Sequence, residues 1–527
     1  MRRFLPYIGV LAAAVLLVVF ESDFLYTAQE QNLFLHTPLF FEQQMVRAGG
    51  LLTWAGCYLT QFFYYPMLGA GLLCLLWAFL LWLLPHALHP SPSTLHPSPS
   101  TLHLLPVACL LMTVVTLGYW VFYLKLPGVL FDATLGTIVA TSMAWVGRRI
   151  PHLVVIVLAA CIGYPLFGFY GLWGTILMGC FGKKRHLLVA IVAVIAVPLV
   201  CYYTIYHETN IVNIYWAALP VFSYGDHRFP AYYVPYVVLV VGLTGPTIPL
   251  RPTIPLRPIP GPSLLREGGK WSLFSPPSTG RGRGWVWWAR ASVVLVLFLF
   301  ISLFWYKDSN FHRELSMQRS IERQDWEAVL SEAQGVKGEP TRALCLMRNL
   351  ALFRLGQSGE QTRQYANGSA RPDAPFPVRL VHTYGKMLYL QYGIPNYCYR
   401  WCMEDGVEYG WTVERLKLMT KCSLLNGELV AAQRFINALK KTDFHRKWAL
   451  KYEEYIHRPN LIGQDPELKP ILPLLRTDNF LTSDQSQEEW FLIEHFLSSP
   501  GETPEQKALS AFTMQYYHGN RQQIIEP

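Results

Sequence analysis

Apolar positions in the first 306 residues fall into long uninterrupted runs, whereas after Lys307 they fall into short runs broken by charges. The early runs hold about 17–23 residues, enough to cross roughly 30 Å of hydrocarbon as helix. They predict spans at Phe4–Phe20, Pro66–Leu84, Leu104–Leu124, Gly128–Val146, Leu187–Tyr203 and Val286–Trp305. A shorter span starts at Ala231 and runs to Leu243, its limits blurred by Pro235 and the Pro-rich stretch that follows. The apolar stretch between Arg149 and Lys183 is too long for one span even when tilted. Its break at Gly163-Tyr164-Pro165 predicts two short helices returning to the same face. The expected set is about nine spans, an all-α bundle over residues 1–306.

The remainder, residues 307–527, reads as paired helices. Amphipathic runs end at Gly356, Gly393 and Gly427, 37 and 34 residues apart. Each glycine suits the left-handed conformation that closes a helix. Gln324–Leu330 predicts the start of a further helix, and Glu428–Leu439 another with Ala431, Ala432, Phe435 and Leu439 on one face. Over roughly Arg313–Lys441 the spacing resembles a degenerate tetratricopeptide (TPR-like) array.

Composition agrees with a membrane protein: 52% of residues are hydrophobic and mean hydropathy is positive. Charge adds orientation. The tail from Lys307 is neutral, so the net charge of +9 sits wholly in the first 306 residues. Basic residues are retained in the cytoplasm. With the N-terminus inside, Arg2, Arg3, Arg148, Arg149, Lys183, Lys184, Arg185 and the basic residues between Arg251 and Arg290 are cytoplasmic. Only Arg47, Lys125 and Arg228 then face outward, and nine spans leave the tail outside the cytoplasm. Glu21-Ser22-Asp23 replaces the small residues of a cleavage site, so the first helix reads as retained rather than as a signal peptide. Seven acids of this half lie on or near the outer face: Glu21, Asp23, Glu30, Glu42, Asp132, Glu208 and Asp226. Asp132 stands out, about five residues into a span, where a carboxylate usually faces a cavity or partner.

Two segments read as insertions in cytoplasmic loops, at 86–103 and 245–284. Leu88–Thr94 and Leu95–Thr101 are identical, as are Pro246–Arg251 and Pro252–Arg257. Such Pro-rich copies do not pack a core. The repeated unit accounts for His86, His89, His96 and His103 without a metal. No zinc-ligand spacing, phosphate-binding loop or nucleophile elbow occurs, and no nucleic-acid partner is expected. Cys398 and Cys402 are spaced i,i+4 rather than as a Cys-x-x-Cys redox motif, in a tail where a disulfide is permitted.

Glu21-Ser22-Asp23 at the outer end of the first span resembles the Asp-x-Asp-like motif of integral-membrane glycosyltransferases of the GT-C type. Span number, the long first outer segment with its aromatic patches, and a soluble outer domain add to the likeness, which covers about residues 1–306. The resemblance implies a transferase using a polyprenyl-phosphate-linked sugar at the outer face of a bacterial inner membrane. Glu21 or Asp23 would serve as base, or would hold a divalent metal doing comparable work. Arg47 or Arg228 would meet the donor phosphate, with Asp132, His207, Glu208, Asp226 and His227 in the same outer system.

The whole chain also resembles an uncharacterised family of bacterial multispanning membrane proteins. Glu-Ser-Asp-Phe-Leu, Gln61–Pro66 and Phe167–Leu172 carry that likeness, which implies an architecture and no activity. The competing expectation is a non-enzymatic envelope assembly protein that grips a protein partner with its helical array, the bilayer lipids being its other contact.

Overall fold

A computed structural model describes residues 5–88, 128–207, 209–221, a few positions from 223 to 240, and then 309–338, 340–357, 381–476 and 501–518. The described chain is helical apart from one antiparallel ladder in which Ser223 pairs with Arg228 and Tyr224 with His227. The expected spans Leu104–Leu124 and Val286–Trp305, most of Ala231–Leu243, and both Pro-rich insertions beyond Leu88 lie outside the described residues.

Helix α1 (Leu5–Phe20) is wholly apolar and stops where Glu21 begins the polar sequence. Helix α2 (Ser22–Glu30) leaves it at a bend of 77°. Two short helices follow, α3 (Pro38–Met45) and α4 (Gly50–Thr60). Thr37 caps α3 by accepting from Phe40 N–H, and Pro38 supplies a first-turn residue that has no N–H to satisfy. Helix α5 (Pro66–Leu88) also starts on a proline.

Helices α6 (Val129–Arg149), α7 (Leu153–Phe167), α8 (Phe169–Cys180) and α9 (Lys184–Thr204) form a close bundle. Glycine sets their spacing. A Cβ at Gly136 would meet the Tyr170 ring, one at Gly147 would meet Met178, and one at Gly171 would meet the Gly163 backbone. Buried hydroxyls of Thr134, Thr137, Thr141 and Thr175 each donate to the carbonyl four residues back, so these four are satisfied within their own helices. The chain reverses at Gly168 (φ +56°), not at Gly163–Pro165 as the sequence suggests. Pro165 sits inside the last turn of α7, and the reversal waits for a residue that adopts positive φ without a Cβ clash.

Among the described residues three helices, α5 over Pro66–Leu84, α6 and α9, are long and apolar enough to cross a membrane, or four spans if α1 and α2 form one broken span. Helices α1, α7 and α8, at 16, 15 and 12 residues, are shorter than the length expected of a straight span.

The C-terminal half comprises α10 (Ser309–Glu322), α11 (Trp326–Gln334), α12 (Arg342–Arg354), α13 (Val381–Gln391), α14 (Pro395–Tyr409), α15 (Val413–Leu425), α16 (Leu429–Leu439), α17 (Arg446–His457) and α18 (Pro504–His518). Gly356, Gly393 and Gly427 have φ of 65°, 82° and 73°, the left-handed closure read from their spacing. On α16 the buried stripe is Ala432, Ile436 and Leu439, with Ala431 and Phe435 half-buried at its margin. Every cysteine among the described residues is free. One hydrophobic core runs through both halves, from Val10, Phe24 and Trp77 to Phe311, Leu350 and Cys422.

Candidate functional site

Glu21, which precedes α2, and Asp23, in its first turn, both reach the C-terminal half. Glu21 lies 2.8 Å from His312 Nε2. Asp23 pairs with Arg319, whose guanidinium also stacks over Tyr26 at 4.6 Å. The neighbouring side chains continue the pattern. Lys417 donates to both oxygens of Glu30, at 2.8 and 3.0 Å, and His445 meets Gln29 at 3.1 Å. Backbone bonds close the seam: Val413 N–H donates to Asn32 C=O and His36 N–H to Lys441 C=O. Phe444 stacks on Tyr64 with centroids 5.3 Å apart and meets Phe62 edge-on.

This seam holds a group of carboxyls. Gln318 Nε2 lies 3.4 Å from Glu322 and 3.3 Å from Glu414, and Gln31 donates to the other oxygen of Glu414. Burial, then the charge of Glu30, pushes Glu322 up to about 8. Burial also raises Glu414. His445 is pushed down to about 3, first by burial and then by Lys417, so its imidazole is neutral.

A second grouping lies on α6. Asp132 lies as expected near the start of this helix, in its first turn, where unpaired N–H groups and the helix dipole favour a carboxylate. Gly56 on α4 makes room for it: a Cβ there would lie 1.7 Å from Asp132 Oδ1. That oxygen is enclosed without a hydrogen-bond partner among the described residues, and so is the Tyr170 hydroxyl. Arg47, exposed in the turn between α3 and α4, is within electrostatic reach of Asp132, as are Tyr170 and the buried Tyr236. A buried carboxyl oxygen with no partner is set to accept a proton or a hydrogen bond from a ligand, and a nearby guanidinium favours an anionic one.

The expected site residues therefore divide. Arg47 and Asp132 lie within electrostatic reach of each other, while Glu21 and Asp23 are engaged by α10. His207 is exposed in the turn after α9 and makes no hydrogen bond or ion pair with any of these four. Glu208 and Asp226 lie outside the described residues, as do the side chains of His227 and Arg228. Among the described residues no three His, Cys, Asp or Glu side chains converge as metal ligands, so the described donor set does not fit a resident divalent metal. Glu322, Glu414, Lys417 and His445 carry no mark in the sequence. Glu30 is marked only as one outer acid among seven.

An all-helical architecture in which an apolar bundle and a charged helical half share one core is the class this chain defines. It belongs to the family of unknown function DUF6057, which matches residues 2–501. No curated protein and no solved structure matches it.

Proposed function

We propose that this is a multi-pass protein of a bacterial inner membrane, N-terminus in the cytoplasm and C-terminal half outside. We read it as a GT-C-like glycosyltransferase using a polyprenyl-phosphate-linked sugar. The observation that carries the reading is Asp132 Oδ1, enclosed without a hydrogen-bond partner among the described residues and within electrostatic reach of Arg47. Asp132 takes the role of base on the acceptor, and Arg47 faces the donor phosphate. Glu21 and Asp23, first choices from the sequence, are better explained as fasteners, because a carboxylate held by His312 or Arg319 is poorly placed to take a proton. The helical hairpins of the outer half, read as TPR-like, would present the acceptor.

The test is sugar transfer in membranes supplied with polyprenyl-linked donors. Asp132→Asn should lower transfer about 10²–10⁴-fold with insertion intact. Arg47→Ala should weaken donor use. Full transfer by Asp132→Asn would refute the assignment, and full activity of the Asp132→Asn/Asp23→Asn/Glu21→Gln triple variant would refute the transferase itself. A reporter active only outside the cytoplasm should work after Lys307 and be silent near Gly261.

The second reading, an envelope assembly protein, is favoured by one observation: both motif acids are spent on ion pairs between the halves. Under that reading Asp132→Asn leaves function intact, while changes on the hairpin faces around Trp326 and Phe435 abolish partner capture.

A further inference from the structure

Three carboxyls from three helices meet in the seam between the halves: Glu30 of α2, Glu322 of α10 and Glu414 of α15. The cations beside them are already committed. Lys417 Nζ bonds Glu30 at 2.8 Å, and Lys421 Nζ bonds Glu467 at 2.6 Å. Glu322 and Glu414 are left with one amide between them, that of Gln318, besides the bond Gln31 gives Glu414. Glu30 and Glu414 are buried and Glu322 is half-buried against them, and carboxyls crowded with so little water do not all ionise.

Lys386 of α13 and Arg415 of α15 also act on Glu414, but both are turned to Asp405, at 2.7 and 3.5 Å. Tyr26 on α2 adds a phenol, and Arg319 on α10 is turned to Asp23 and to the Tyr26 ring. His445, beyond Glu30, is neutral. Helices α11 and α12 meet α10 about two turns earlier, through the Arg313–Glu332 pair and the Thr341–Glu314 hydrogen bond.

We propose that docking of the C-terminal half onto α2 is proton-linked, with the proton held on Glu322 and the seam loosening as that proton is lost. The inference rests on the seam geometry and is independent of any catalytic role. Burial and the Glu30 charge, which push Glu322 up to about 8, give its range. Docked, the carboxyl is protonated below about 8; opened to water, it ionises near its ordinary 4.5. Between these values docking takes up a proton, so the docked-to-open ratio falls about tenfold per pH unit and levels off above about 8. His445 has the opposite slope below its ordinary 6.5, so the window from 6.5 to 8 isolates Glu322.

The experiment is hydrogen–deuterium exchange of the full chain in lipid nanodiscs, following amides from Phe24 to Asn32 and correcting for intrinsic rates. In the native chain protection should fall about tenfold per pH unit across that window. Glu322→Gln, which mimics the protonated acid, should keep protection flat. An unchanged slope in Glu322→Gln overturns the proposal, and so does a slope abolished by Glu414→Gln alone. Infrared difference spectroscopy gives a direct readout: the part of the protonated-carboxyl band that Glu322→Gln removes should be present in the native chain at pH 7 and lost above 8. Its absence at pH 7 also overturns the proposal.

Discussion

Lys417 on α15 and Glu30 on α2, separated by 387 positions in the chain, meet in a buried pair with both carboxylate oxygens bonded to one ammonium. Neither side chain is more than 15% exposed. Removing the cation leaves a buried carboxylate without compensation, which typically costs about 3–5 kcal/mol. Lys417→Met should therefore lower folded yield and thermal midpoint sharply. Adding Glu30→Gln should recover a large part of the loss, and a double variant no better than the single would show that the pair is not the cause.

Asp23 and Arg319 form the more open part of the same seam, at 33% and 18% side-chain exposure. Solvent screens such pairs, and each contributes about 0.2–1 kcal/mol. In a double-mutant cycle of Asp23→Asn with Arg319→Gln, the coupling energy should fall in that range. A value near zero would remove Asp23 from the seam and return it to the list of candidate bases.

Two helix-closing glycines separate backbone strain from crowding. Gly427 has φ of 73° and open space where a Cβ would stand. Gly427→Ala should cost only the left-handed penalty of about 1–2 kcal/mol. Gly393 has φ of 82°, and a Cβ there would lie 2.1 Å from the Leu474 carbonyl oxygen. Gly393→Ala should cost about 1–3 kcal/mol more through overpacking. Equal thermal shifts for the two variants would contradict this geometry.

The neutral His445 sets an acid limit. Its folded value near 3 lies below the ordinary 6.5, so the unfolded chain binds a proton that the folded chain does not across that interval. This contribution to stability is present above pH 6.5 and lost as pH falls toward 3, by up to about 1.4 kcal/mol per unit. In a Glu322→Gln background, which removes the opposing slope of that carboxyl, chemical denaturation from pH 6.5 to 5 should show the decline. His445→Gln should flatten it, and an undiminished slope would place the titration elsewhere.

Helix ends were readable because their causes are local. Leu5–Phe20 stops where charge begins, and Gly356, Gly393 and Gly427 close helices because they alone tolerate positive φ there. The turn after α7 was misplaced by three residues, since Pro165 is a strong punctuation mark in sequence and a tolerable last-turn residue in structure. Asp132 was recognisable as a costly acid in an apolar run. Its position on the first turn of α6, with Gly56 hollowed out before it, required the packing of a second helix.

The sequence by itself determined that this chain is helical, that its apolar runs stop near Tyr306, and which glycines end helices of its C-terminal half, because periodicity and φ preference act within a few residues. Only the tertiary structure decided what the acids do. Glu21, Asp23 and Glu30 look alike along the chain, as solvated carboxylates after an apolar helix. Folding set His312, Arg319 and Lys417 against them from nearly 300 positions away or more. It left Asp132 Oδ1 without a hydrogen-bond partner among the described residues. A carboxylate's behaviour depends on the charges and water within a few ångströms of it, and that surrounding is made by long-range contacts that no local pattern records.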